Sequence, residues 1–145
     1  MIKDIETLTH ILSIKELLMN ELRIVFEKEG LSSTEIMIIY LLQHQQQEFR
    51  ASDLAIKLYL PMSTLTGIID KMVEKEIVIR RHSDQDRRVV IIQLNPKFKE
   101  RTMHYMAGLV NLMKEISGSF APEWNQQFND RLKTYRTVLE KRAQA

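Results

Sequence analysis

The chain has 145 residues, of which 44% are hydrophobic and 28% are charged, a composition typical of one globular domain rather than of a disordered or repetitive protein. It contains no cysteine, which excludes disulfide scaffolds, thiolate metal sites and cysteine-based redox sensing. Its 21 basic and 19 acidic residues give a net charge of +2, which permits a nucleic-acid partner but does not by itself indicate one.

Two helices are predicted in the first third of the chain. The first covers residues 4–28 and carries an apolar stripe that is too wide for one neighbouring helix to cover. Gly30 suits the position after a helix end, and Ser32 with Glu35 forms a capping box that starts a second helix over residues 33–43. The side chains that this second helix is expected to turn inward are Ile36, Ile39, Tyr40 and Leu42.

The middle of the chain has the pattern of a winged helix. After a polar loop over residues 43–47, two short helices are predicted over residues 51–58 and 62–75, joined by a turn as in a helix-turn-helix. The spacing then changes to β-branched runs at residues 77–79 and 89–92, which predicts a hairpin whose tip carries the charged residues between them. A helix-turn-helix followed directly by a basic hairpin is a winged helix.

Two long helices are predicted to finish the chain, over residues 97–119 and 123–142, and Asn95 suits the N-cap of the first. Together with the first helix they carry more apolar surface than so small a domain can cover, and exposed patches of that size mark interfaces. We therefore expect a two-fold homodimer. The residues expected in or beside its interface are Ile5, Leu8, Leu12, Trp124, Phe128, Leu132, Tyr135 and Leu139.

Four short motifs lie in a recognisable order along residues 54–94. They are Leu54-Ala55, Ser63-Thr64-Leu65-Thr66 followed by Ile68-Ile69-Asp70-Lys71-Met72, Ile77-Val78 with Arg80, and Asp86-Arg87-Arg88 with Leu94. In this order they resemble the first helix, the recognition helix, the first strand and the wing of the MarR family of bacterial transcription regulators. The flanking helices are similar to those of the family in length and order, so the resemblance covers the whole chain.

This resemblance implies a single domain over residues 1–145 that is mainly α-helical with a small β-hairpin wing (α+β). A winged helix-turn-helix over about residues 33–95 would bind DNA, and dimerisation helices over about residues 1–30 and 96–145 would flank it. The implied function is a sequence-specific regulator, most often a repressor, that binds double-stranded DNA as a homodimer at a pseudo-palindromic operator. We expect it in the bacterial cytoplasm, associated with the nucleoid, because no uncharged run approaches the roughly 18 residues of a membrane span.

The recognition helix is expected to present a polar side to DNA. At 100° per residue its core side consists of Leu65, Ile68, Ile69 and Met72. The residues assigned to DNA are Ser63, Thr64, Thr66, Gly67, Asp70 and Lys71. Hydroxyls near a helix start can form hydrogen bonds with phosphates or base edges. The alternative is that Ser63 and Thr64 only begin the helix, as such residues commonly do. Asp70 would oppose phosphate, so we expect it to pair with Arg80, Arg81 or Lys71.

The wing tip gives the sharper indication of DNA binding. Asp86 and Arg88 are two residues apart, so on an extended strand they would project to the same side, and the carboxylate would orient the guanidinium. Arg88 would then enter a minor groove narrowed by A·T-rich sequence, and Arg87 would turn toward phosphate. The alternative is that these charges only solvate a hairpin. Their place directly after a helix-turn-helix favours DNA contact.

Some positions depart from the family's pattern. Glu76 stands where the family usually has glycine, and Gly67 replaces a larger polar or basic residue on the exposed side of the recognition helix. Asn95 and Phe98 replace the usual threonine and glycine after the second strand. These departures affect the expected operator sequence more than the expected fold.

The resemblance also implies a small aromatic or lipophilic effector, bound where the dimerisation helices meet the winged domain. The residues expected to line this pocket are Ile11, Ile14, Leu18, Tyr40, Tyr59, Met103 and Met106. A mixed apolar lining with two hydroxyls suits an aromatic ligand. The alternative is that these residues fill the core and no pocket exists.

Other functions have little support in the sequence. The chain has four histidines, His10, His44, His82 and His104. No two of them have the spacing of a metal-ligand pair on a helix, so no metal is expected unless ligands meet across a dimer. There is no phosphate-binding glycine loop or nucleophile elbow, so we expect neither a cofactor nor an enzyme. A winged helix that serves as a protein-interaction module without specific DNA binding is the alternative function.

Overall fold

A computed structural model of the protein describes residues 1–44 and 49–145. The predicted order of elements is confirmed, and one short strand is added before the helix-turn-helix. The elements are α1 (Ile2–Val25), α2 (Ser33–His44), β1 (Phe49–Arg50), α3 (Ala51–Leu58), α4 (Met62–Glu74), β2 (Val78–His82), β3 (Val90–Leu94), α5 (Pro96–Gly118) and α6 (Pro122–Ala143). The fold is therefore mainly helical with a small antiparallel sheet, as the sequence predicts.

The predicted caps account for the ends of the helices. Gly30 follows a turn of 3-10 helix after α1 and has a φ of 62°, the left-handed conformation expected of a helix-ending glycine. The backbone N–H of Ser32 donates to Glu35 Oε2 at 2.7 Å, and the N–H of Glu35 donates back to Ser32 Oγ at 3.2 Å, so the capping box is confirmed. Asn95 Oδ1 accepts the N–H of Lys97 at 3.0 Å, as predicted for an N-cap.

The prediction of a polar loop over residues 43–47 is wrong for its first two residues. Gln43 and His44 belong to the last turn of α2, and residues 45–47 lie outside the described residues.

The chain divides into two compact units, Met1–Met106 and Ala107–Ala145. Among the described residues, the largest fully buried apolar side chains all lie in the first unit: Phe26, Ile36, Ile38, Ile39, Leu54, Leu65, Ile69, Met72, Val78, Ile92 and Phe98. Because α2 packs against both α1 and β3, a wide arc of this helix is covered. Ile38 is therefore buried, and the prediction that Tyr40 points inward is wrong, since Tyr40 is 43% exposed.

Three antiparallel strands form the sheet in the order β1-β3-β2. In the β2–β3 hairpin Val78 lies opposite Leu94, and Arg80 lies opposite Ile92. The strand missed by the sequence analysis is β1, which has only two residues and therefore no readable alternation. It buries Phe49 and pairs this residue with Ile92 on the other edge of β3.

An ion pair joins the start of α2 to the end of α4. Lys75 Nζ lies 3.1 Å from Glu35 Oε1, and the Glu35 side chain is only 7% exposed. Burial raises the pKa of the Glu35 carboxyl, but the N–H of Ser32 and the ammonium of Lys75 outweigh burial, so the pKa is lowered overall. The carboxylate thus serves both as a helix cap and as a clamp on the residue that follows α4.

Glu35→Gln is expected to weaken the dependence of the free energy of unfolding on pH at acid pH. A carboxyl whose pKa is lowered by folding stabilises the protein fully above its unfolded pKa of about 4.3, and this contribution is lost as the pH falls through the lower folded value. Urea unfolding at several pH values below about 6 measures the effect. Relative to the variant, the wild-type protein should lose stability as the pH falls, and parallel profiles would contradict this role of Glu35.

The end of α4 is closed by a Schellman motif. The N–H of Ile77 donates to the carbonyl of Met72 at 2.9 Å, and the N–H of Glu76 donates to that of Val73 at 3.0 Å. Glu76 adopts a φ of 57°, the left-handed region in which a Cβ crowds the backbone. This is the position at which the resemblance predicts glycine, so the glutamate occupies a backbone conformation suited to glycine.

Glu76→Gly is expected to raise the free energy of unfolding by about 1 kcal/mol, because it removes the left-handed penalty. Chemical denaturation measures the change. The matched control is Glu74→Gly, which places the same substitution in the right-handed last turn of α4 and should lower stability by up to about 1 kcal/mol. Equal effects of the two substitutions would show that backbone conformation at Glu76 carries no cost.

The second unit consists of the end of α5 and the 22 residues of α6. Asn125 Nδ2 donates to the carbonyl of Ser117 at 2.9 Å and ties the two helices together. Phe120, Trp124 and Phe128 stack successively, with ring centroids 4.1 Å and 5.0 Å apart. No residue of α6 is buried within the chain, so its aromatic and aliphatic stripe is open.

Candidate nucleic-acid interface

The helix α4 presents the polar side that its sequence predicts. Leu65, Ile69 and Met72 are buried and Ile68 is half-buried. The exposed residues include all six that were assigned to DNA: Ser63, Thr64, Thr66, Gly67, Asp70 and Lys71. Helical periodicity alone therefore identified the surface that α4 offers.

The start of α4 leaves its hydroxyls available. Pro61 occupies the N-cap, and no side chain caps the helix, so Ser63 and Thr64 do not serve as caps. The first backbone N–H with an intrahelical partner is that of Leu65, which donates to Pro61 at 3.0 Å. Three N–H groups, those of residues 62–64, thus remain for an outside acceptor at the positive end of the helix dipole.

Two residues on the exposed side of α4, Thr66 and Gly67, offer few polar groups to another molecule. Thr66 is exposed, and its Oγ1 donates to the carbonyl of Met62 at 2.9 Å, so its hydroxyl is engaged within the helix. Gly67 has nothing within 4 Å of the place where a Cβ would stand. The surface around Gly67 is therefore open enough for close approach of another molecule.

An ion pair connects α4 to the hairpin. Asp70 Oδ1 accepts a hydrogen bond from Arg80 Nη2, which confirms the predicted pairing of this carboxylate with one of the nearby bases. The neighbouring Arg81 donates through Nε to Gln93 Oε1 at 3.0 Å across the β2–β3 ladder. Lys71 is exposed beside Asp70.

The wing tip differs from its predicted conformation. Residues 83–89 form a turn, so the prediction that Asp86 and Arg88 share one side of an extended strand is wrong. Asp86 Oδ1 accepts the backbone N–H of Arg88 at 2.9 Å, and therefore shapes the turn instead of orienting a guanidinium. Aspartate side chains commonly bond to backbone two residues on. Both Arg87 and Arg88 are exposed at this tip.

The turn before α4 contains a second left-handed residue. Tyr59 has a φ of 54° and is 66% exposed, and the N–H of Leu60 donates to the carbonyl of Ala55 at 2.9 Å. Met62, the first residue of α4, is 47% exposed next to Ser63 and is not among the residues assigned to DNA.

Comparison with known proteins identifies this arrangement. A profile of the MarR family matches residues 31–90, which span α2, the helix-turn-helix and the wing. The uncharacterized HTH-type transcriptional regulator YpoP of Bacillus subtilis is 30% identical over 105 residues, or 72% of each chain. The chain belongs to the MarR family.

Two other proteins show how far the likeness extends. The HTH-type transcriptional regulator MhqR of Bacillus subtilis is 34% identical over 70 residues, so this chain spans about half of its length, 48%. The crystal structure of a MepR–DNA complex from S. aureus has a TM-score of 0.70 at 17% identity and covers 90% of this chain and 96% of MepR. MepR thus shares the MarR-family fold with this protein.

The residues predicted to line an effector pocket of this MarR-family chain are mostly open. Six of the seven are exposed by 38% or more, namely Ile11, Ile14, Leu18, Tyr40, Tyr59 and Met103. Only Met106 is buried, at 8%. The single chain therefore does not enclose a lining built from this set.

The residues predicted for the dimer interface are all exposed in the single chain. Their exposed fractions range from 41% for Phe128 to 62% for Leu139. Neither α1 nor α6 buries a residue.

Residues 1–44 and 49–145 contain neither a candidate metal centre nor a candidate membrane-spanning helix. No group of three or more histidine, aspartate or glutamate side chains there could hold a metal ion. No helix of the same residues has the length and apolar character needed to cross a membrane.

Proposed function

We propose that this MarR-family protein is a transcriptional repressor that binds double-stranded DNA as a two-fold homodimer at a pseudo-palindromic operator. Residues 33–95 form its DNA-binding part, and residues 1–30 and 96–145 form its dimerisation part, within one domain that acts on DNA in the bacterial cytoplasm and nucleoid. The observation that carries the proposal is the uncapped, hydroxyl-bearing start of α4 in a chain whose wing tip also carries two exposed arginines.

The proposed contact of α4 is with the major groove. An α-helix fits this groove, and residues near its start reach base edges. Ser63 and Thr64 offer free hydroxyls, Thr66 offers a methyl group to thymine, and the free N–H groups at the helix start suit a phosphate. Gly67 lets the groove come close to the helix.

The proposed contacts of the wing are with the minor groove and the phosphates beside it. Arg88 is exposed at the tip of a turn that Asp86 stabilises through the backbone, so the guanidinium extends from a fixed base. A narrow, A·T-rich minor groove attracts such a group electrostatically. Arg87, exposed on the same turn, would reach a phosphate.

Dimerisation is supported by the uncovered apolar residues of α1 and α6. A helix with a wide apolar stripe gains stability mainly by packing, and no residue of the α6 stripe is buried within the chain. A second copy would cover this stripe. A two-fold dimer would also place two α4 helices on DNA, with half-sites about one helical turn, roughly 10 bp, apart.

A small aromatic or lipophilic effector is proposed as the regulator of this dimer. Four exposed residues would line the effector pocket only if a partner copy completed it: Ile11, Ile14 and Leu18 on α1 and Met103 on α5. A ligand there would release DNA by favouring a dimer whose α4 helices no longer match the half-sites. Thermal-shift screening with aromatic carboxylates, followed by DNA titration with each hit, tests this proposal. If no compound changes both the melting temperature and the DNA affinity, the proposal of an effector fails.

The experiment that tests the function is selection of bound sequences from random DNA duplexes with the purified protein. We expect enriched sites with dyad symmetry, and binding that weakens steeply as salt rises because phosphate contacts release counterions. No enrichment would favour the alternative function, a winged helix that binds only protein. Enrichment of sites without dyad symmetry would contradict the two-fold dimer.

A further inference from the structure

We propose that Asp70 is a specificity-determining residue, which holds Arg80 back from DNA phosphates and so weakens binding to DNA of unrelated sequence. This inference rests on the proposed DNA-binding function and adds a role for an acidic side chain on the DNA-facing side of α4. Unless it accepts a hydrogen bond from a cytosine amino group, an acid there would repel DNA, so its presence requires an explanation.

The Asp70–Arg80 pair is held by two fixed elements on an accessible surface. Asp70 stands on the exposed side of α4, whose opposite side is buried through Leu65 and Ile69. Arg80 belongs to β2, where its backbone is fixed opposite Ile92 in the ladder. The side chains of Asp70 and Arg80 are 55% and 38% exposed, so both are accessible to another molecule.

Pairing changes what Arg80 can do on DNA. A free arginine on this surface would bond phosphates of any sequence, and such contacts supply essentially all of non-specific binding. Bonded to Asp70, it forms a unit without net charge. The sequence analysis did not assign Arg80 to DNA. Its pairing with Asp70 explains how an arginine can lie on this surface without raising the affinity of the protein for every duplex.

The effect should be larger on unrelated DNA than on the operator. In a non-specific complex no base contacts fix the protein, so a freed arginine can reach whichever phosphate lies nearest. On the operator, base contacts of α4 fix the docking geometry, and Arg80 gains a bond only where a phosphate happens to lie in reach. Because a genome offers a great excess of competing sites, weaker non-specific binding leaves more dimer for the operator.

The test is a double-mutant cycle on the full-length protein. Fluorescence anisotropy would measure the affinity for a selected operator and for a scrambled duplex over a range of KCl concentrations. Asp70→Asn frees Arg80 and should raise affinity for the scrambled duplex about tenfold, with a salt slope steeper by about 0.9 per protomer. Arg80→Gln leaves a bare carboxylate and should weaken binding to both duplexes. The variant with both substitutions is neutral again and should return close to the wild-type affinity.

Glu74→Gln is the matched control, because it removes the same charge from the exposed side of α4 one turn further on without releasing Arg80. Its salt slope should equal that of the wild-type protein. All variants should fold, since exposed ion pairs contribute little to stability, and thermal unfolding checks this.

Two results would overturn the inference: an Asp70→Asn salt slope no steeper than that of Glu74→Gln, or a double variant as weak as Arg80→Gln alone. If the wild-type protein itself shows no preference for any selected sequence over the scrambled duplex, the proposed function fails instead.

Discussion

Phe128→Glu is expected to convert the protein to a monomer and to abolish operator binding. Phe128 is 41% exposed in the single chain and stacks on Trp124 in the open stripe of α6. Complete burial of a phenylalanine contributes about 1.5–3 kcal/mol, so burial of the exposed 41% of Phe128 contributes roughly 0.6–1.2 kcal/mol, and two-fold symmetry removes two such contributions with one substitution. A carboxylate placed in the same apolar contact adds a desolvation cost. The dimer dissociation constant should therefore rise by at least about a hundredfold.

Sedimentation velocity over a range of protein concentrations measures this change directly. Trp124 is the only tryptophan of the chain, so its emission should also shift to the red when the partner copy is lost. The matched control is Gln127→Glu, which adds the same charge to α6 beside the stripe and should leave the dimer intact. A wild-type chain that sediments as a monomer at micromolar concentration would contradict the interface altogether.

Helix α6 is an example of a feature that local sequence alone could predict. The stripe from Trp124 to Leu139 repeats at helical spacing, and this periodicity depends only on the chain itself, so helix and stripe were both predictable. The same holds for the capping box at Ser32 and for the cap at Asn95, because a cap involves residues three or fewer positions apart.

Features that depend on distant neighbours were predicted less well. Tyr40 has the spacing of an inward residue, but Ile38 is covered instead because α2 packs against both α1 and β3. The strand β1 exists only through its pairing with β3, and two residues carry no pattern of their own. In each case tertiary contacts, absent from any local window of sequence, decide the outcome.

The wing illustrates a different limit. The spacing of Asp86 and Arg88 predicts two side chains on one side of a strand, but the Asp86 carboxylate accepts the backbone N–H of Arg88 and closes a turn. Local bonds from aspartate to backbone compete with strand pairing. The sequence therefore predicted that both residues lie in the wing, but it assigned the wrong role to Asp86.

Arg88→Ala is expected to lower operator affinity by about 30-fold or more. One lost base or groove contact costs about 1–3 kcal/mol, and each dimer would lose two. The substitution retains the backbone N–H that bonds to Asp86, so the turn and the fold should be unchanged. The loss should be largest on operators with A·T-rich flanks, because only a narrow minor groove strongly attracts the guanidinium.

Anisotropy titrations with operators that differ only in their flanks measure this effect, and Arg142→Ala, in the last turn of α6, is the control for loss of one arginine. The corrected role of Asp86 makes the test sharper. Asp86→Asn keeps an acceptor for the Arg88 N–H and should bind nearly as well as the wild-type protein, whereas Asp86→Ala opens the turn and should weaken binding toward the level of Arg88→Ala. If Arg88→Ala bound every operator at full strength, the wing would have no part in recognition, and affinity would depend on α4 alone.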